Sequence, residues 1–141
     1  MRVTSTLLLI VLLSFILVSC SSSNQVELNC DAFQENNHLT DEIALSAGDE
    51  FQVILCSNPT TGYEWSADAQ IADTEVVRQM THEFVMAEDL ENPPPPGTPG
   101  VEIWTFNALE QGSTTITFDY SRPWEGGEKS TWTFELATTV E

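Results

Sequence analysis

Positive charge is scarce in this chain. Its 141 residues include 4 lysines and arginines against 22 aspartates and glutamates, which gives a net charge of −18. Such a surface repels the phosphate backbone, so the composition argues against nucleic-acid binding. The acidity does not indicate disorder, because aromatic and β-branched residues are plentiful and regularly placed. We therefore expect a folded acidic domain with no nucleic-acid partner.

Residues that commonly carry catalysis are also few. The only histidines are His38 and His82, and the sequence contains no HExxH, no GxSxG and no glycine-rich phosphate loop. The acidic residues lack the spacing of a calcium loop. The sequence therefore predicts no enzyme, no cofactor and no metal site. A hydrolase that pairs Cys56 with one histidine is the weaker alternative.

The chain has a single long apolar run, Leu7–Val18, which follows the charged start Met1-Arg2. The run is short for a membrane span and has the form of a signal-peptide core, so residues 1–19 are predicted to be a signal peptide. Ser19-Cys20 follows it and resembles a bacterial lipobox, in which the cysteine becomes lipidated. An ordinary secretory signal and a true membrane helix are the alternatives.

Lipidation of Cys20 implies an exported protein held on the bacterial outer membrane or cell surface by its N-terminal anchor. Ser21 directly after the cysteine favours the outer membrane in a cell that has two membranes. The polar stretch Ser21–Gln25 would then act as a tether between the anchor and the folded domain.

Cysteine is also scarce, and once Cys20 is assigned to the lipid, Cys30 and Cys56 are the two that remain. An even pair in an exported domain predicts a disulfide, with two buried thiols as the alternative. Cys56 lies two positions before Asn58, so the bridge would brace the segment that begins there.

Strand-like patterns dominate the remainder of the chain. Their apolar residues alternate with polar ones, no long helix is indicated, and Ala67–Thr74 has room for one short helical turn. The predicted strands are Val26–Cys30, Glu42–Leu45, Phe51–Leu55, Val76–Phe84, Val101–Ala108, Thr115–Tyr120 and Thr131–Leu136. About seven strands over this length favour an all-β, antiparallel immunoglobulin-like sandwich, with a small barrel as the alternative.

Proline interrupts the strands between Ala87 and Gly100, where four prolines stand in a row at Pro93–Pro96. Prolines donate no ladder hydrogen bonds, so this stretch is predicted to be a surface loop.

A second proline-containing segment is Asn58-Pro59-Thr60-Thr61-Gly62-Tyr63, called the hexapeptide below. Pro59 fixes its own φ and favours an extended Asn58, and Gly62 can take the positive φ that closes a turn. A stiff loop of this kind loses little entropy when it enters a partner's cleft.

The hexapeptide, the strand Val101–Leu109 and the later run Arg122-Pro123-Trp124 together resemble the chagasin-type inhibitors of papain-like cysteine proteases. The resemblance extends over roughly residues 38–140, so residues 38–141 are taken as the inhibitor domain. Residues 20–37 would then hold the lipidated cysteine, the tether and a first edge strand.

This resemblance implies a reversible competitive inhibitor whose partner is a papain-like cysteine protease. Three loops would fill the active-site cleft, with Thr60 and Thr61 nearest the catalytic pair. The protease-binding residues implied are Asn58, Pro59, Thr60, Thr61, Gly62, Tyr63, Gly97, Thr98, Pro99, Gly100, Arg122, Pro123 and Trp124. Pro99 departs from the Gly-x-Gly-Gly usual in the family. A lipid-anchored immunoglobulin-like adhesion or assembly module is the alternative function.

Overall fold

Nine strands, one short helix and a 3₁₀ turn make up the part of the chain that the computed structural model describes, residues 24–86 and 97–141. The signal peptide, Cys20, most of the tether and the four consecutive prolines lie outside these residues. The elements are β1 (Gln25–Leu28), α1 (Cys30–Glu35), β2 (His38–Leu45), β3 (Glu50–Ser57), the 3₁₀ turn (Pro59–Thr61), β4 (Glu64–Trp65), β5 (Gln70–Ile71), β6 (Val77–Met86), β7 (Gly100–Ala108), β8 (Gly112–Ser121) and β9 (Trp132–Val140).

The strands form two sheets, ordered β1-β3-β7-β6 and β2-β9-β8-β4, and β5 also pairs with β8. This arrangement confirms the predicted immunoglobulin-like sandwich. Most pairs are antiparallel, but β1 runs parallel to β3 and β2 runs parallel to β9. The predicted antiparallel order therefore fails at these two edges, because alternation along a strand shows which face is buried and not which direction a neighbour runs.

The core lies between the sheets and is rich in aromatic rings. Trp104 and Phe106 project from β7, and both are fully buried, as the alternation predicts. The ring of Phe118 on β8 lies 4.8 Å from Trp104 and 5.8 Å from Phe134 on β9. Such rings bury large apolar areas, so this column joins the two layers into one core.

The stretch from Val26 to Cys30 was predicted to be one strand, but β1 ends at Leu28 and α1 begins at Cys30. The side chain of Asn29 caps the helix by accepting a hydrogen bond from the Ala32 N–H at 3.1 Å. Phe33 is fully buried, with ring centroids 5.2 Å from Trp65 and 5.1 Å from Trp132. One apolar anchor and one cap hold a helix too short to show a periodic pattern.

The tether prediction is also too long at its end, because Gln25 already belongs to β1 and pairs with Gln52. The backbone oxygen of Asn24 accepts a hydrogen bond from the Gln52 N–H at 2.9 Å.

The stretch Ala67–Thr74 has room for one short helical turn by its sequence, and the structure places strand β5 there. The side chain of Gln79 holds this segment extended through hydrogen bonds to the Ala69 N–H at 2.9 Å and the Ala67 oxygen at 2.8 Å. The pairing of β5 with β8 and these bonds from Gln79 hold the segment extended, and local sequence does not reveal them.

The predicted disulfide between Cys30 and Cys56 is present, with Cα atoms 5.2 Å apart. It joins the start of α1 to the end of β3, and in this disulfide Cys56 has no free thiol to pair with a histidine. Within residues 24–86 and 97–141, no helix is both long enough and apolar enough to cross a bilayer.

Candidate functional site

The hexapeptide connects β3 to β4 and forms a tight 3₁₀ turn. Asn58 precedes the turn, and its side-chain oxygen accepts a hydrogen bond from the Thr60 N–H at 3.3 Å. Pro59 occupies the first helical position, which suits its fixed φ. Gly62 ends the turn with φ of 79°, the positive value predicted from the sequence.

The two threonine hydroxyls are used inside the turn. Thr60 Oγ1 donates to Asn58 Oδ1 at 2.6 Å, and Thr61 Oγ1 donates to the Asn58 backbone oxygen at 2.7 Å. Both residues remain exposed at the surface. They therefore stiffen the turn and at the same time present its outer surface to solvent.

The base of the hexapeptide is held by the core beneath it. The Asn58 N–H donates to the Tyr120 hydroxyl at 3.1 Å, and the Trp65 indole N–H donates to the Cys56 oxygen at 2.9 Å. The ring of Tyr63 stacks on that of Tyr120 at 5.5 Å, and its hydroxyl donates to Glu128. Tyr63 is thus half-buried and supports the turn, and Trp65 belongs to the core.

The Trp124 segment, Arg122–Trp124, follows the end of β8 and lies directly against the hexapeptide. A Cβ atom placed on Gly62 would lie 2.9 Å from Cη2 of Trp124, so the absence of a side chain allows the contact. Trp124 is 51% exposed. The sequence positions of the two segments are far apart, but the fold makes them one surface.

Arg122 links these two segments. Its guanidinium carbon lies 4.5 Å from the centroid of the Tyr63 ring and 5.7 Å from that of Trp124, within the range of cation–π attraction. Within residues 24–86 and 97–141, no acidic side chain forms a salt bridge with Arg122. The position of Arg122 indicates support for the two aromatic rings.

The turn after Trp124 is fixed by its own hydrogen bonds. The Gly127 N–H donates to the Trp124 oxygen at 3.0 Å, and Lys129 Nζ donates to the same oxygen at 3.1 Å. The Arg122 N–H donates to the Glu128 oxygen at 2.8 Å. The exposed indole is therefore carried by a rigid turn.

The third predicted segment is the Gly97 segment, Gly97–Gly100, which leads into β7. The Asn58 side-chain amide donates to the Gly97 oxygen at 3.1 Å, and Gly100 pairs with Ser57 at the base of the hexapeptide. Pro99 is exposed beside them. All three predicted segments thus lie at one end of the sandwich, and we call them together the wedge.

One residue of the site was missed in the sequence. Glu102 lies on β7 under the hexapeptide and is 4% exposed, and its carboxylate contacts Ser57, Trp65 and His82. The signal was an acid on the buried face of a strand that otherwise carries Trp104 and Phe106 there. A carboxylate on the buried face of a strand requires hydrogen-bond partners, so its presence indicates a buried polar cluster.

The chain matches known proteins over most of its length. The sequence model described as chagasin family peptidase inhibitor I42 matches residues 44–137. Amoebiasin-2 from Entamoeba histolytica is 30% identical over 101 residues, which cover 68% of this chain and 72% of that protein.

Two solved structures share the architecture. The cysteine protease inhibitor EhICP2 from Entamoeba histolytica has a TM-score of 0.58 at 23% identity, over 83% of this chain and 96% of that one. PbICP-C, solved in complex with falcipain-2, has a TM-score of 0.59 at 19% identity, over 84% of this chain and 99% of that one. At these identities the likeness shows the fold alone.

Proposed function

The chain belongs to the chagasin family of peptidase inhibitors, and we propose that it inhibits cysteine proteases by filling the active-site cleft of a papain-like enzyme with its wedge. The observation that carries this proposal is the contact between Gly62 and the Trp124 indole, with the Gly97 segment hydrogen-bonded to Asn58 beside them. Three separate parts of the chain form one projecting surface.

The internal bonds of the hexapeptide explain how it can occupy a cleft without being cut. Cleavage requires the scissile carbonyl to align with the attacking thiolate. In the turn, the Asn58 oxygen accepts from the Thr61 N–H and the Pro59 oxygen accepts from the Gly62 N–H, both at 3.1 Å. These bonds hold the carbonyls in a turn geometry, so the loop blocks substrate and is itself a poor substrate.

The contact surface offers one large apolar group beside a compact turn. The exposed Trp124 indole supplies rigid apolar area, the kind of side chain that commonly dominates binding energy at interfaces. Because the turn and the indole are already ordered, little conformational entropy is lost on association. Tight, reversible and competitive inhibition follows without a covalent bond to the protease.

A titration of papain with residues 21–141 tests the proposed function. We expect stoichiometric loss of activity, and the apparent inhibition constant should rise with substrate concentration, as competitive inhibition requires. Absence of inhibition at micromolar concentration would contradict the proposal and would favour the adhesion or assembly module.

We further propose that Cys20 carries a lipid and holds the inhibitor on a bacterial membrane. The apolar run and Ser19-Cys20 support this, and the order of the strands is compatible with such an anchor. Gln25 pairs with Gln52 near the start of β3, and the hexapeptide follows the opposite end of that strand. Cys20 and Asn24 are four positions apart, so a fully extended chain would separate them by at most about 14 Å. A lipid at Cys20 would thus leave the wedge directed away from the membrane.

Metabolic labelling with a radioactive fatty acid tests the anchor. The full-length chain should incorporate label and sediment with membranes, and Cys20→Ser should do neither. Equal labelling of both proteins would reject lipidation at this cysteine.

A further inference from the structure

A buried carboxylate lies beneath the wedge, and neither the sequence nor the proposed contact with a protease accounts for it. Glu102 is 4% exposed on β7 and shares its buried face with Trp104 and Phe106. Burying a carboxylate is costly unless hydrogen bonds replace its hydration. An apolar residue would fill this position at a lower cost in free energy. The hydrogen-bond partners of Glu102 therefore indicate what the carboxylate does.

One carboxylate oxygen binds both ends of the hexapeptide. Glu102 Oε1 accepts a hydrogen bond from the Ser57 hydroxyl at 2.7 Å and from the Trp65 backbone N–H at 3.3 Å. Ser57 directly precedes Asn58, and Trp65 lies two positions after Tyr63. A single atom thus joins the chain entering the loop to the chain leaving it.

The other carboxylate oxygen connects the two loop ends to β6 at the edge of the sheet. Glu102 Oε2 lies 2.7 Å from Nε2 of His82 on β6, and the His82 ring packs at 4.8 Å from Trp104. Both oxygens therefore have partners, and the carboxylate has no freedom to rotate away from Ser57 and Trp65. Hydrogen bonds to a charged acceptor in a buried site are among the stronger ones in proteins.

We propose that Glu102 is a positioning residue for inhibition: it fixes the spacing of the two ends of the hexapeptide and so keeps the turn in its uncleavable form. This inference rests on the proposed function of the wedge. The Trp65 indole bond to the Cys56 oxygen would remain, but loss of the carboxylate would leave the Ser57 hydroxyl and the Trp65 N–H without this acceptor and would loosen the loop. The target protease could then bind the loop in an extended conformation and cut it. The inhibitor would become a substrate.

The test compares Glu102→Ala with Glu102→Gln against papain, after wild-type inhibition has been measured. Glu102→Ala should raise the inhibition constant about 30-fold, the scale set by unsatisfied buried partners. Mass spectrometry should then find cuts within residues 58–63. Glu102→Gln should remain within about threefold of wild type, because its amide oxygen still accepts from Ser57 and Trp65 and its NH₂ donates to the other His82 tautomer.

Val140→Ala is the matched control for simple destabilisation. Val140 is buried at the end of the sandwich remote from the wedge, where it pairs with Gly112. The variant should lower the melting temperature and still inhibit papain without loop cleavage. If inhibition weakens in proportion to the fall in melting temperature in both variants, the proposal is overturned. An unchanged inhibition constant for Glu102→Ala would also overturn it.

Ser57→Ala decides the case if Glu102→Ala does not fold. It removes one of the two loop contacts, and we expect an inhibition constant about fivefold above wild type, with cuts in the hexapeptide. A wild-type inhibition constant and an intact loop would overturn the inference. Failure of the wild-type protein to inhibit papain would instead reject the proposed function.

Discussion

Trp124 is the residue on which binding of a protease should depend most. Its indole is half exposed and rests on Gly62 and Arg122. Trp124→Ala should raise the inhibition constant for papain roughly 30-fold, about 2 kcal/mol, because an exposed indole on a rigid turn has the properties of a hot spot. Inhibition kinetics and a thermal melt measure the two effects, and the melting temperature should change little.

Met80→Ala is the control for that experiment. Met80 is 52% exposed, similar to Trp124, but it lies on β6 near its far end from the wedge. It should inhibit like the wild type. A Trp124→Ala protein that also inhibits like the wild type would contradict the role given to the indole.

Two properties of position 62 favour glycine, its positive φ and its contact with Trp124, and their effects can be measured separately. Its φ is 79°, and any Cβ would meet the Trp124 ring at 2.9 Å. Gly62→Ala should weaken papain inhibition strongly because the indole must move. Gly48→Ala, at φ of 95° with nothing within 4 Å, should show only the backbone cost of about 1 kcal/mol in urea unfolding. Equal inhibition by both variants would show that the Gly62–Trp124 contact is dispensable.

Arg122 was predicted from the family resemblance to contact the protease, and its position indicates a supporting role. Arg122→Lys keeps the charge but loses the flat guanidinium that stacks between Tyr63 and Trp124. The inhibition constant for papain should rise roughly fivefold, the scale of a lost cation–π contact of about 1 kcal/mol. If Arg122→Lys inhibits normally and Arg122→Met does not, charge alone is the contribution.

At the scale of elements, the disulfide is the main brace that joins α1 to the loop-bearing strand. It closes a loop of 26 residues between Cys30 and Cys56, for which the chain-entropy model gives about 3.5 kcal/mol of stability. The double variant Cys30→Ala/Cys56→Ala should lower the free energy of unfolding by roughly that amount in urea denaturation. A difference below about 1 kcal/mol would show that the bridge is incidental to stability.

The long strands were readable from sequence because each has one buried face. Alternation placed Phe51, Val53 and Leu55 inward on β3, and all three are buried. The short elements were not readable. Helix α1 depends on a cap and on Phe33, and β5 depends on pairing with β8, a strand far away in the sequence. Contacts between distant residues determine both, and periodicity carries no information about them.

At the scale of the whole molecule, the sequence predicted the sandwich and the three segments of the wedge, although not their supports. The hexapeptide and the Trp124 segment are recognisable as turns because proline and glycine restrict or permit particular backbone angles. The contacts of Arg122 with Tyr63 and Trp124, and those of Glu102 under the loop, form only when β7, β8 and the loop ends come together in the fold. Their roles became visible from the packing.

The wedge is proposed to be the surface that contacts the protease. Hydrogen exchange of residues 21–141, alone and bound to papain, shows which surface the protease covers. Papain should slow exchange in residues 58–63, 97–100 and 122–127 and leave exchange at the opposite end, around Gly48 and residues 109–113, unchanged. Protection at that opposite end, or along the outer strands with the wedge still exchanging freely, would contradict the proposal.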